Sequence, residues 1–494
     1  MTKPFSRRLF LSFIGALGAS PALAFAPKTS LRPQARNGVP RKKRVRSADD
    51  LVGASGLSGV VSYVVADART GKVMESRGST ALVPPASVAK VITGLYALEA
   101  LGTKHKFRTS IYADGQMKGD VLHGDLILVG GGDPTLSSDH LNDLAKQLKA
   151  RGIRGVKGRF LVNGSALPRL RGIDPSQPDH VGYNPAISGL NVNFNRVHFE
   201  WRRASGKYSV KMDGRTNKIQ PAVATSKMQI VNRGAPVYAY RSEAGIDRWS
   251  VARGALGGGG SRWLPVRNPE AYAGDIMRTM ARSNGVLLPQ AQVTKSRAKG
   301  QVVAQHVSQD LQIIVRDMLK FSTNLTAEAI GLSATVKRKG QASTLKASAR
   351  EMNLWAASRL GSKMKLVDHS GLGDASRVTA GDMVKALVEA RKRGYEALLK
   401  SIPMRNADYK IVKTHPVKVV AKTGTLNFVS GLGGYVQGSG GRPQAFAIFA
   451  ADVPMRKRIA KADRELPRGA AKWNKQAKKL QQVLLQRWGA LYGS

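Results

Sequence analysis

Pro84-Pro85-Ala86-Ser87-Val88-Ala89-Lys90 runs straight into Val91-Ile92-Thr93-Gly94-Leu95-Tyr96-Ala97-Leu98, and the rest of the chain is organised around this stretch. The two prolines forbid a helix before them and set an extended approach. Val88, Val91, Ile92, Leu95 and Leu98 then recur at helical spacing. Ser87 is therefore expected in the first turn of a buried helix, near the partial positive charge of its N-terminus. Ser87 and Lys90 stand three apart and share a helical face. A hydroxyl lies beside an amine whose pKa burial depresses, a nucleophile with its own base. Alone the S-x-x-K spacing says little. It recurs at Ser296 and Lys299, Ser343 and Lys346, and Ser362 and Lys365, all in polar surroundings.

Two later stretches give Ser87 its weight. Ser322-Thr323-Asn324 follows the helical run Leu311 to Leu319 and precedes Leu325-Thr326-Ala327-Glu328-Ala329. By itself it reads as a helix cap. Lys422-Thr423-Gly424-Thr425 ends the strand-like run from Val419, and Phe428 to Val436 and Ala445 to Ala450 continue as further strands. Strand alternation puts Thr423 and Thr425 on one face, Lys422 and Gly424 on the other. Gly424 lets a neighbouring backbone come close.

The chain has 494 residues, 42% hydrophobic and 22% charged, enough for two or three folded domains. It has no cysteine, which excludes disulfides, thiolate metal sites and cysteine catalysis. Residues 1–26 combine Lys3, Arg7 and Arg8, an apolar segment near Leu9 to Leu17, and Ala22-Leu23-Ala24. That is an export signal, and Ser6 to Leu11 is similar to the twin-arginine type. Residues 27–50 form a basic, proline-interleaved arm, expected to be disordered. The net charge of +47, from 79 basic against 32 acidic residues, attracts acidic wall polymers or anionic lipid surfaces. No nucleic-acid module accompanies it, so nucleic acid is not an expected partner.

Beyond Ser87 the texture changes. Phe107 to Tyr112, Val121-Leu122 and Asp125 to Val129 read as short strands, Asp139 to Arg151 as a helix, Gly158 to Asn163 as a strand. Gly130-Gly131-Gly132-Asp133-Pro134 reads as a turn, since no G-K-[ST] follows it. The stretch from Leu190 to about Arg267 is strand-rich, and helical texture resumes at Pro269. Ser322 stands 235 positions after Ser87 (322 − 87). A site using both needs an inserted region, assigned here to 105–295. Residues 51–104 and 296–494 then make one catalytic domain.

In the order S-x-x-K, S-x-N, K-T-G, the three motifs resemble those of penicillin-binding proteins and serine β-lactamases. With the large insertion, and with Gly124-Asp125-Leu126-Ile127, Tyr183-Asn184-Pro185-Ala186-Ile187-Ser188 and Asp368-His369-Ser370-Gly371-Leu372, the chain is similar to the class C low-molecular-mass penicillin-binding proteins. These form the D-alanyl-D-alanine carboxypeptidase/endopeptidase family. The resemblance covers residues of about 55 to 455. It implies an α/β (α+β) transpeptidase-like domain, an antiparallel sheet flanked by helices, with a strand-rich domain inserted between the first two motifs.

The resemblance also implies roles. Ser87 is the nucleophile, Lys90 its base, Ser322 a proton relay oriented by Lys422, and Asn324 a binder of the substrate's acyl portion. Thr423, Gly424 and Thr425 form the substrate-binding strand, the two threonines holding a terminal carboxylate. The implied partners are peptidoglycan stem peptides and β-lactam antibiotics, with no metal or cofactor. Asn163 departs from the family, which carries an aspartate just after this strand. A β-lactamase or esterase on the same fold and a non-catalytic wall-binding protein are the competing readings. Substrate preference and oligomeric state are not legible.

Overall fold

The computed structural model describes residues 46–406 and 408–493. The expected export signal and most of the expected basic arm lie outside the described residues. The arm's last residues are folded. Ser47 caps helix α1 (Ala48–Ala54): its hydroxyl accepts the Asp50 amide while the Asp50 carboxylate accepts the Ser47 amide. Strands β1 (Val60–Asp67) and β2 (Val73–Arg77) form a hairpin. β1 is apolar on both faces, sending Val64 and Ala66 into one core and Val61, Tyr63 and Val65 into another. After Pro84-Pro85 comes a single 3-10 turn, Ala86–Ala89, and then helix α2 (Lys90–Leu101). Ser87 thus sits in the tighter turn that precedes the α-helix. Such turns are common at helix starts.

The chain next builds a strand-rich layer. β3 (Arg108–Lys118) and β4 (Val121–Gly130) make a hairpin longer than the sequence suggests, because its far end is exposed and carries no apolar alternation. Helix α3 (Ser138–Ala150) and strands β5 (Gly155–Val156) and β6 (Phe160–Asn163) follow. Then come β7 (Arg196–Ala204), β8 (Lys207–Asp213), β9 (Ser226–Val231), β10 (Tyr238–Glu243), β11 (Ile246–Ala252) and β12 (Gly259–Pro265). They pair as two small sheets, β12-β7-β8 and β10-β11-β9. Helix α4 (Pro269–Ser283) leads to β13 (Ala291–Val293) and β14 (Gln301–Val307). β14 pairs antiparallel with β3 and completes the mixed sheet β13-β6-β4-β3-β14. The layer therefore runs to Val307, past the boundary at 295, because β14 closes an edge that only the fold reveals.

The remaining chain returns to the first hairpin. Helices α5 (Leu311–Phe321), α6 (Asn324–Lys339), α7 (Leu345–Leu360) and α8 (Ala380–Lys392) come first. Strands β15 (Lys400–Ser401), β16 (Lys418–Leu426), β17 (Val429–Gln437) and β18 (Pro443–Ala451) follow, then α9 (Val453–Lys457) and α10 (Ala470–Tyr492). β18 pairs with β1, Val60 opposite Ala451. That pairing gives a six-stranded antiparallel sheet in the order β15-β16-β17-β18-β1-β2. Residues from α2 and α5 to α8 cover one face, and α10 with α1 covers the other.

α10 presents Trp473, Ala477, Leu480, Leu484 and Trp488 to the sheet, with the Trp488 ring tilted against Tyr63 at 5.6 Å and Phe446 at 6.2 Å between centroids. Each such large side chain contributes about 2–3 kcal/mol by burial. Leu491, at the helix end, is 38% exposed. Among the described residues no helix is long and apolar enough to cross a membrane.

Candidate active site

The fold brings all three motifs together at the start of α2. Lys90 is fully buried, and its Nζ donates to Ser87 Oγ at 2.9 Å, Asn324 Oδ1 at 2.7 Å and the Ser370 carbonyl at 2.9 Å. Asn324 is held in this orientation because its Nδ2 donates to the Tyr183 carbonyl at 3.0 Å. Burial pulls the Lys90 pKa down to about 8, against the opposing pull of the Glu328 and Asp368 carboxyl groups. Next to the nucleophile, Ala86 is left-handed with φ 47°. Such a residue stores backbone strain beside a reacting group.

The second pair lies on β16 and the α5–α6 junction. Ser322 is the left-handed residue, φ 62°, that ends α5, and α6 begins at Asn324. Ser322 and Asn324 therefore do sit at helix ends, and the sharp turn also aims both side chains at the site. Lys422, fully buried, donates to Ser322 Oγ at 2.8 Å and to the Thr423 carbonyl at 2.7 Å. Its pKa is driven well below the ordinary lysine range by burial, then by the neighbouring charges of Lys90 and Lys400. Gly424 is where β16 meets the nucleophile turn. A Cβ there would stand 2.9 Å from the Pro85 carbonyl oxygen and 3.0 Å from the Ser87 amide.

Ser87, Ser322, Asn324 and Thr425 line one cleft of about 320 Å³, with Tyr183, Gln177, Gly371 and Leu372. Lys90 and Lys422 lie beneath it. Thr423 is half-buried and is not among the cleft-lining residues. A larger cleft, of about 790 Å³ between β2 and α8, contains none of the motif residues. Asn163 lies outside the catalytic cleft too. Its Nδ2 donates to the Ser296 carbonyl at 2.7 Å and its Oδ1 accepts the Ser165 amide at 2.8 Å, so its side chain is occupied in holding backbone.

Sequence reasoning missed one wall of the cleft. Arg456, Ile459, Arg464 and Glu465 reach it from the connection between β18 and α10. Arg456 and Arg464 bind Asp374, and Glu465 is held by His180 at 2.8 Å and Arg262 at 2.6 Å. These partners are 82 to 285 positions away in the chain. No local spacing announces them. The run of basic and acidic residues from 456 to 465 was the only available signal.

A model described as the D-Ala-D-Ala carboxypeptidase 3 (S13) family matches residues 47–467. The chain belongs to this family. It is 30% identical over 470 residues to a D-alanyl-D-alanine carboxypeptidase of Actinomadura sp. (strain R39), covering 87% of this chain and 83% of that protein. It is 24% identical over 421 residues to a D-alanyl-D-alanine carboxypeptidase of Haemophilus influenzae, covering 79% and 85%. The crystal structure of penicillin-binding protein 4 from Haemophilus influenzae superposes with a TM-score of 0.73 at 18% identity, covering 90% of this chain and 99% of that one. The shared fold is a helix-flanked antiparallel sheet with a large strand-rich region between its first hairpin and the rest.

Proposed function

We propose that the protein is a serine D-alanyl-D-alanine carboxypeptidase/endopeptidase that cleaves peptidoglycan stem peptides through an acyl-serine intermediate and is acylated by penicillins. The family supports the activity, and one observation supports the assignment of roles. Lys90 Nζ has three neighbours, two of which, Asn324 Oδ1 and the Ser370 carbonyl, can only accept. A neutral Lys90 keeps its two hydrogens on those oxygens. Its lone pair must then face Ser87, the one neighbour with a hydrogen to give. Burial keeps a useful fraction of Lys90 neutral near pH 8.

The steps follow. Ser87 Oγ bonds to the carbonyl carbon of the D-alanyl-D-alanine bond while its proton passes to Lys90. The amides of Ser87 and Thr425 receive the oxyanion, where one good donor is worth roughly 3 kcal/mol. Ser322, hydrogen-bonded to Lys422, relays a proton to the departing D-alanine nitrogen as the C–N bond breaks. Thr425, which lines the cleft, takes the substrate's terminal carboxylate, and Asn324 takes the acyl-side amide in exchange for the Tyr183 carbonyl. Water then hydrolyses the ester. We read the chain between α2 and α5 as an inserted domain that supplies Tyr183 and Gln177 to the cleft.

Residues 1–26 are read as an export signal that places the enzyme in the cell envelope, by the twin-arginine route. The basic arm is read as a tether to anionic wall polymer, acting through screened attraction. Mass spectrometry of muropeptides incubated with the protein tests the activity. Release of terminal D-alanine, or scission of D-alanyl cross-links, is expected. Unaltered muropeptides from a protein that binds them would leave a wall-binding protein instead.

A further inference from the structure

Glu328 lies four residues after Asn324 on α6 and is completely buried. It is among no ion pair of the described residues, yet both of its oxygens are used. Oε2 accepts the His369 amide at 2.9 Å and Oε1 accepts the Ser370 amide at 2.8 Å. Asp368 does the same one step on, accepting the Gly371 amide at 2.7 Å and the Gly373 amide at 2.5 Å. Burial raises both carboxyl pKa values, and Asp368 raises that of Glu328 further. A buried apolar residue at 328 would avoid this cost.

What the carboxyl groups hold is the loop 368–373. Its Ser370 carbonyl is one of the two acceptors that orient Lys90, and its His369 carbonyl accepts Thr93 Oγ1 at 2.6 Å. The loop is also seated by contact. A Cβ on Gly331 of α6 would stand 2.2 Å from the His369 ring, and one on Gly371 would stand 2.0 Å from the Ala86 carbonyl oxygen. The amides of 369 and 370 thus point down to α6 while their carbonyls point across to α2.

We infer that Glu328 is a positioning residue for acylation: by taking the His369 and Ser370 amides, it aims the Ser370 carbonyl at Lys90 and so turns the lysine lone pair onto Ser87. Glu328 touches no substrate. Its influence passes through Ser370, whose amide it holds and whose carbonyl, on the next peptide unit, meets Lys90. The inference rests on Ser87 and Lys90 acting as nucleophile and base.

The test separates binding from bond formation. Stopped-flow acylation by a chromogenic or fluorescent penicillin yields the pre-acylation dissociation constant and the acylation rate constant for wild type and Glu328→Gln. Gln keeps the volume but puts an N–H against one of the two amides. The acylation rate constant should fall about 10- to 100-fold, the scale of a small misplacement of a reacting group. The dissociation constant should stay within about twofold. Because Gly371 and Leu372 line the cleft, general collapse of the loop would weaken binding as well. Should the Gln protein fail to fold, Glu328→Asp withdraws the carboxylate by one methylene and should show the same split. Either folded variant acylating at the wild-type rate, or losing binding as much as rate, overturns the inference. A wild-type protein that takes up no penicillin overturns the acyl-serine reading itself.

Discussion

The strand-rich layer and the antiparallel sheet treat buried charge differently. In the strand-rich layer it is met by backbone carbonyls or by an opposite charge. Arg267, 6% exposed, donates to the carbonyls of Arg171 at 2.6 Å, Asn184 at 2.8 Å and Asp179 at 2.7 Å. Asp213 receives two hydrogen bonds of 2.8 Å from Arg215. Beside the antiparallel sheet, Lys90 and Lys422 are equally buried and form no salt bridge among the described residues. Their partners are hydroxyl, amide and carbonyl oxygens. What sets the two lysines apart is that their partners include the Ser87 and Ser322 hydroxyls, groups with a proton to exchange, whereas Arg267 meets only carbonyls.

Lys90→Met should break the comparison most visibly. Acylation should fall by about 10²–10⁴-fold if Lys90 is the base. Removing the buried amine relieves its desolvation cost but leaves the Asn324 and Ser370 oxygens without a donor, so the two effects oppose and the melting temperature should change little. A large drop in melting temperature would mean that Lys90 is structural after all.

The pH dependence sharpens the same point. With its pKa pulled down to about 8 from 10.5, Lys90 loses its proton within the working range. The acylation rate should rise through about pH 8 and level off above it, since the neutral amine is the active form. The folded state also binds fewer protons at this group than the unfolded chain between the two pKa values. Stability from this group therefore increases as pH rises from about 8 to 10.5. Lys90→Met should remove that slope.

Arg267→Leu is the counterpart in the other layer. The carbonyls of Arg171, Asn184 and Asp179 would lose their donor, at roughly 1–3 kcal/mol for the buried one, that of Asn184. The protein should melt well below wild type, with the folded fraction still acylated. The smallest effect is expected from Asn163→Asp, which restores the family's carboxylate. A carboxylate oxygen would then face the Ser296 carbonyl in place of a donor, costing about 1–3 kcal/mol of stability. Penicillin acylation should be unchanged, because residue 163 lies outside the cleft. A faster or slower acylation would show that this position reaches the substrate.

The catalytic set was legible because its three motifs are short and each sits where a local rule is broken: a serine after two prolines, a serine-asparagine pair between helices, a lysine and glycine in a strand. The antiparallel sheet was legible from the strand-like runs at Val419, Phe428 to Val436 and Ala445 to Ala450, which become β16, β17 and β18. What escaped depends on through-space pairing. β14 has no marker for its place beside β3, and Arg456 and Arg464 have none for Asp374. Glu328 did leave a trace, as a lone carboxylate within the run Leu325 to Leu332. Only the fold shows that it meets the 368–373 loop.

The most direct test of the account is to map the covalent adduct. Wild type and Ser87→Ala would be incubated with penicillin, digested, and sequenced by tandem mass spectrometry. The account requires one penicilloyl group per wild-type chain, on the Ser87 hydroxyl, and none on the Ser87→Ala protein at equal melting temperature. An adduct on any other serine, or labelling of Ser87→Ala in the same yield, would contradict it.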